Sequence, residues 1–181
     1  MEKNVSVKII AVYLRIAVAT AYLWEVADRL GFLGAHGRPH VGWGDWAHFV
    51  AYARDVMKFL PSSVVPTLAL IATIGEGLFG LLLLFGLFTR MAAVGSGILS
   101  FCFALAMAIS FGIDSPLGYS VFTLSAASFL LATQPGFAFS VDAFINISRK
   151  IKKANSSDDL SYVTADRLSA GDRNFIYMML K

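Results

Sequence analysis

The sequence predicts an all-α integral membrane protein, a four-transmembrane-helix bundle with an interfacial or re-entrant helix in its first external loop. Three observations carry this. Of 181 residues, 57% are apolar and 15% charged, against roughly half and a quarter in soluble domains, and mean hydropathy is +0.67. The charges crowd the two ends of the chain and leave the middle nearly bare, as a bilayer imposes. Four apolar runs, residues 9–30, 64–88, 91–113 and 117–132, approach the roughly 20 residues that cross a hydrocarbon core.

The first run contains the triplets Ala17-Val18-Ala19 and Ala19-Thr20-Ala21, which fit a signal-peptide cleavage site. Arg15 interrupts it and it continues past both, so it is read as a retained first helix. Residues 31–61 are long for a helix connection, and GFLGAHGRPHVGWG is too rich in glycine and proline to be helical. From Asp45 the pattern changes. Trp46, Phe49, Val50, Ala53, Val56, Met57 and Leu60 recur at spacings of three and four, predicting an amphipathic helix with Asp45 as its N-cap and Pro61 as its stop. Trp43 and Trp46 put that helix at the outer interface or folded back onto the bundle.

Lys3, Lys8, Arg90, Arg149, Lys150, Lys152 and Lys153 all fall on one side of the four spans, which places both termini on the cytoplasmic side. Residues 1–153 form the membrane domain. Residues 154–181, with Asn155, Ser156, Ser157, Asp158 and Asp159 together, form a polar, loosely ordered cytoplasmic tail.

Charges within spans are costly and seek partners. Arg15, Val18, Tyr22, Glu25 and Arg29 step by three or four along one stripe of the first helix, and Glu25 and Arg29 form an i,i+4 pair. Counting inward from the outer span ends separates Glu76 from Arg15 by roughly 5 Å in depth, so an Arg15–Glu76 pair is expected, while Asp28 and Arg29 fall near the solvated interface. The candidate intramembrane polar cluster, ligand-binding or structural, is therefore Arg15, Tyr22, Glu25 and Glu76, with the structural role weighted about two to one. Ser96, Ser100, Ala104 and Ala108 form a small-residue ladder, Gly75, Gly77 and Gly80 thin the second span, and Cys102 is expected in the core between them. Tyr119 and Ser120 suit an interfacial anchor or a ligand head group.

Several chemistries are excluded or disfavoured. One cysteine permits no intrachain dithiol. His36, His40 and His48 all lie in the external loop, so no intrinsic transmembrane haem is expected, and Gly37 and Pro39 argue against aligning His36 with His40 as metal ligands. Gly75-Glu76-Gly77-Leu78-Phe79-Gly80 matches G-x-G-x-x-G but follows no strand, so it is read as helix packing. The sequence contains no P-loop, G-x-S-x-G or HExxH, which argues against autonomous catalysis. The pI near 9.1 comes from residues flanking apolar runs, which fits membrane topology better than nucleic acid.

Three segments, LRIAVATAYLWEVADRLGFLG, IGEGLFGLLLLFGLFTR and FALAMAISFGIDSPLGYSVF, together resemble the DoxX-like family of small bacterial membrane proteins. The resemblance implies a four-helix bundle in the inner membrane and redox function through partner proteins, some relatives being subunits of thiosulfate:quinone oxidoreductase. It also implies Arg15, Glu76 and the cytoplasmic Arg90 as the characteristic polar set. Two readings follow: a quinone-interacting or partner-docking subunit of a membrane oxidoreductase, or a non-enzymatic scaffold or small-solute carrier. In either, the lipid bilayer is a partner and a second copy of the chain is a candidate neighbour.

Overall fold

Away from water, a long apolar run must satisfy every backbone N–H and C=O internally, and within one segment only a helix does so. The computed structural model describes the backbone of residues 2–156 and the side chains of residues 5–149. Among these residues it has seven helices and no strand: α1 (Glu2–Arg29), α2 (Trp46–Val56), α3 (Val65–Phe85), α4 (Thr89–Phe111), α5 (Asp114–Gly118), α6 (Val121–Ala132) and α7 (Val141–Ser156). Val5–Arg29 of α1, together with α3 and α4, are long and apolar enough to cross a membrane.

The expected fourth run is divided. α5 ends at Gly118, Ser120 takes a left-handed backbone with φ 57, and α6 starts at Val121. Its 12 residues rise only about 18 Å. In α2 the Asp45 carboxylate caps the helix as expected, accepting from the His48 N–H at 2.9 Å. The helix ends at Val56, ahead of Pro61, because the chain turns once the Met57 N–H has bonded to Ala53 O. Helix α7 is not foreseen by the sequence reading. Of the expected tail, residues 154–156 complete α7 and residues 157–181 lie outside the described residues.

α1 packs on α3, α3 on α4, α4 on α6, and α6 back on α1. Val18, Ala19, Tyr22, Leu83, Ala92, Ala93 and Leu131 form the buried centre. Small residues bring the helices together: a Cβ on Gly80 would lie 2.9 Å from Leu23, and one on Gly97 2.9 Å from Phe129. Ser96, Ser100 and Ala104 of the ladder are buried. Buried hydroxyls find carbonyls, Ser96 to Ala93 O at 3.0 Å, Ser125 to Gly97 O at 2.8 Å and Ser128 to Leu124 O at 2.9 Å. The outward faces are greasy instead, with Ile71, Ile74, Leu78 and Leu81 of α3 and Ile98, Phe101, Leu105 and Ile109 of α4 exposed. Polar inside and apolar outside is the pattern lipid selects. Cys102, expected in the core, is exposed. It shares the helix face of Ile98 and Leu105, and small size alone does not assign a residue to the packed side.

The turn between α3 and α4 is built as a clasp. Gly86 stands at φ 67, with Leu87 N–H bonded to Leu82 O at 2.9 Å and Gly86 N–H to Leu83 O at 3.2 Å, the paired closure that a left-handed residue after a helix permits. A side chain there would strike the Arg15 guanidinium and lie 2.9 Å from Ser140 Cα. α4 then starts without a cap from its own chain neighbour. Asp142, at the start of α7, supplies one: its carboxylate accepts from Phe88 N–H (2.9 Å), Thr89 N–H (2.8 Å) and the Thr89 hydroxyl (2.8 Å), while its own N–H donates to Gly86 O (3.0 Å). Arg15 donates to Phe139 O at 2.7 Å and Arg90 to Gln134 O at 2.9 Å.

Losing a helix cap costs roughly 1–2 kcal/mol. Asp142→Ala is therefore expected to destabilise the detergent-solubilised protein by at least that amount, with Asp142→Asn, which keeps an acceptor, costing less. Thermal unfolding followed by circular dichroism checks the order, and equal midpoints for Asp142→Ala and wild type would count against the clasp.

Candidate functional site

Glu76 sits near the middle of α3, about 15 Å along the helix from Gly86. At that depth a lone carboxylate is expensive, and Arg29 meets it. The guanidinium forks onto both carboxylate oxygens, Nη1 to Oε2 and Nη2 to Oε1 (3.3 Å), while Nη1 also donates to the Thr73 hydroxyl at 3.0 Å. The Thr73 hydroxyl passes its own proton to Ala69 O at 2.9 Å. The guanidinium carbon lies 3.9 Å above the Phe49 ring, a cation–π contact from α2. Arg29 and Glu76 are 5% and 4% exposed, so the pair is buried.

The expected Arg15–Glu76 pair is thus corrected: Arg29 takes Glu76, and Arg15 belongs to the clasp. The reason is register. Counting inward from the outer ends assumes that α1 and α3 end level, but α1 stops beside Thr73 and Glu76. Arg15 lies about 21 Å away along the helix, level with Gly86. Asp28 and Arg29, expected near solvent, are buried, because residues 42–56 fold over the end of α1.

Asp28 holds that cover down. Its Oδ2 accepts from Gly42 N–H (2.9 Å) and Trp43 N–H (2.7 Å), and its Oδ1 from Gly44 N–H (3.2 Å). A carboxylate receiving three consecutive amides fixes both loop and helix end. Gly44, at φ 71, also leaves no room for a side chain, since a Cβ would lie 2.7 Å from Ala35 C. The Trp43 indole N–H donates to Glu25 Oε2 at 3.3 Å, and its ring lies 4.5 Å from Tyr52. α2 completes the cover through Phe49, Val50 and Ala53 against Val65 and Ala69 of α3, and Ser110 of α4 bonds to Val56 O at 2.6 Å. Outside the cover, the His36 and His48 rings stack at 3.7 Å, with His36 Nδ1–H donating to Trp43 O (2.9 Å) and His48 Nδ1–H to Asp45 (2.8 Å).

Between cover and bundle lies a cavity of about 650 Å³, within the range of small-molecule sites. Its walls are aromatic, with Trp24, Trp43, Phe49, Tyr52, Phe103 and Tyr119, and its polar lining includes Tyr22, Glu25, Asp28, Arg29, Glu76 and Ser100. Tyr22 donates to Ser96 O at 2.6 Å and therefore receives its second bond from the Ser100 hydroxyl. Burial pushes the Tyr52 phenol up, reinforced by Tyr119 and Glu25. Three lining carboxylates face one guanidinium, so the cavity is formally negative. Among the described residues no three His, Cys, Asp or Glu side chains gather as metal ligands.

Of the sequence-derived set, Tyr22, Glu25 and Glu76 share this cavity, whereas Arg15 and Arg90 lie at the clasp. Arg29, Asp28 and the Trp43–Tyr52 wall were missed. The signals were the favourably ordered Glu25–Arg29 pair, present at 3.8 Å, and the Gly42-Trp43-Gly44 triplet, a tryptophan between two residues with no side chain.

A family model described as TQO small subunit DoxD matches residues 10–169. No curated protein and no solved structure matches the chain.

Removing one member of a buried ion pair strands the other, typically at 3–5 kcal/mol. Arg29→Met and Glu76→Leu are each expected to destabilise by about that much, and the double variant by clearly less than the sum. A double-mutant cycle on reversible unfolding in detergent measures the coupling, and strict additivity would refute the pair. In the cover, the His48 N–H bond holds the exposed Asp45 carboxyl below its ordinary value of 3.8, with the His48 ring adding to it. The cap is therefore fully present above that ordinary value and is lost as pH falls through the lower native one. Trp46 emission is expected to stay constant down to about pH 4 and change below it, and a change centred above pH 5 would contradict the assignment.

Proposed function

The chain belongs to the DoxD family, the small subunit of a membrane oxidoreductase, and from that premise we propose that its cavity seats a quinone ring. The single observation behind this is the aromatic-walled chamber over a buried ion pair at mid-depth of the apolar helices. A quinone is flat, neutral and bears two carbonyl acceptors. Trp43, Tyr52 and Phe49 offer faces for it to lie against, and the Tyr52 and Tyr119 hydroxyls offer donors for its carbonyls. A cavity with three carboxylates against one guanidinium favours a neutral guest over an anion. Arg29 and Glu76 act as a rigid polar floor.

In this reading the chain has no autonomous catalytic activity: electrons reach the quinone from a partner subunit. α5 and α6 together complete the fourth crossing of a four-span bundle, and α2 folds back into its outer half. Residues 1–153 form the domain, in a bacterial inner membrane with both termini cytoplasmic. The two-pronged pairing of Arg29 with Glu76 favours a second reading, a non-enzymatic scaffold or small-solute carrier, because a carboxylate matched within the bundle needs no ligand. Uptake into proteoliposomes separates that reading from the first.

Equilibrium dialysis with a short-chain quinone tests the site. Saturable binding is expected, weakened up to about tenfold by Trp43→Leu through loss of one stacking face and unaltered by Arg15→Gln at the clasp. Binding that is unsaturable, or indifferent to Trp43→Leu, would sink the quinone assignment, and a protein purified in mild detergent should carry quinone detectable by mass spectrometry.

A further inference from the structure

Among the described residues helix α7 contributes none to the cavity lining, yet the start of the helix is tightly set. Asp142 bonds to the first turn of α4 and to Gly86, where α3 ends, so α7 begins at the level where two apolar spans stop. In a bilayer crossed by α3 and α4, that level is the membrane surface. The helix is two-sided: at 100° per residue Val141, Phe144 and Ile145 share one stripe, while Asp142, Asn146 and Arg149 lie on another. Val141 and Phe144 are exposed, at the same end as the exposed Phe88 and Met91. Together these continue the apolar lipid-facing surface of α3 and α4 around the clasp.

The charge is as uneven as the hydropathy. Arg149, Lys150, Lys152 and Lys153 give α7 four cations in its second half. Its one anion, Asp142, is consumed by capping α4. Arg149 is exposed and the chain supplies it no carboxylate partner among the described residues. A short helix anchored at the span ends, apolar on one side and cationic in its C-terminal half by sequence, matches a leaflet whose acyl boundary accepts Phe144 and whose headgroups are anionic.

We propose that α7 is a membrane-surface helix that binds the anionic phosphate headgroups of the leaflet at the clasp end. The occupant is lipid: free phosphate satisfies the cations but leaves Val141 and Phe144 in water. The binding also tightens the clasp, because Asp142 joins α7 to α4 and lipid that holds α7 down restrains that cap.

The test uses the full chain in mild detergent, titrated with phosphatidylglycerol, phosphatidylcholine or inorganic phosphate and followed by thermal unfolding. Phosphatidylglycerol is expected to raise the midpoint at concentrations at least tenfold below those at which phosphatidylcholine does. Inorganic phosphate should do nothing, and 0.5 M salt should erase the difference, about the ionic strength at which screening shortens to a few ångströms. Replacing Arg149, Lys150, Lys152 and Lys153 by Gln should abolish the preference, whereas Lys58→Gln, at the opposite end of the molecule, should keep it. Equal response to the two lipids, a preference that survives the fourfold substitution, or the same shift with inorganic phosphate each overturns the proposal. Should the fourfold variant fold poorly, the salt dependence of the wild type decides alone.

Discussion

A carboxylate set halfway along an apolar helix persists only where its charge is matched, and much of this molecule serves to bring Arg29, at the end of α1, onto Glu76. The guanidinium needs a carboxylate at its own depth, which fixes the register of α1 against α3: α1 stops beside Thr73 and Glu76. Stopping there leaves the N-terminal part of α3 without α1 as a neighbour. α2 fills that space, with Phe49 under the guanidinium and Val50 and Ala53 against Val65 and Ala69. Because a stranded buried charge costs several kcal/mol, the register, the cover and the pair stand or fall together.

The two ends of the bundle solve different problems with similar means. At the clasp, polar side chains reach backbone atoms: Arg15 to Phe139, Arg90 to Gln134 and Asp142 to Phe88 and Thr89. Each bond ends an unpaired helix terminus or loop carbonyl, so these charges are spent on structure. At the covered end, Asp28 does the same for residues 42–44, but the covering segment stands off the bundle and leaves a chamber. The residues that Gly86-Leu87-Phe88-Thr89-Arg90 contributes thus read as turn, cap recipient and strap, while the chamber wall combines Trp43, Phe49 and Tyr52 of the covering segment with Trp24 and Phe103 of the apolar helices.

That separation bears on function. A bundle whose interior serines bond to carbonyls and whose faces are closed by small residues offers little room for a guest. The cover makes the room, with Trp43 held between its bond to Glu25 and its contact with Tyr52. Trp43, Phe49 and Tyr52 thus stand on the covering segment, and the paired charges of Arg29 and Glu76 on the apolar helices beneath it.

The sequence by itself determined what local rules determine. Apolar length gave α1, α3 and α4, the three-and-four spacing after Asp45 gave α2 and its cap, and the Ser96–Ser100–Ala104 ladder gave the packed side of α4. It named Tyr22, Glu25 and Glu76 as polar residues of interest, because charge in an apolar run is visible without a structure. What only the tertiary structure decided was pairing and depth. Apolar runs have soft ends, and a slip of a few turns in how α1 lies against α3 moves a partner by about 21 Å, the difference between Arg15 and Arg29. Burial of Asp28 and Arg29 depended on a loop folding back, which no periodicity records. The division of the fourth run at Ser120 and the outward turn of Cys102 likewise depend on how neighbouring helices meet, since a residue's size and polarity do not say which face of a helix will find protein and which will find lipid.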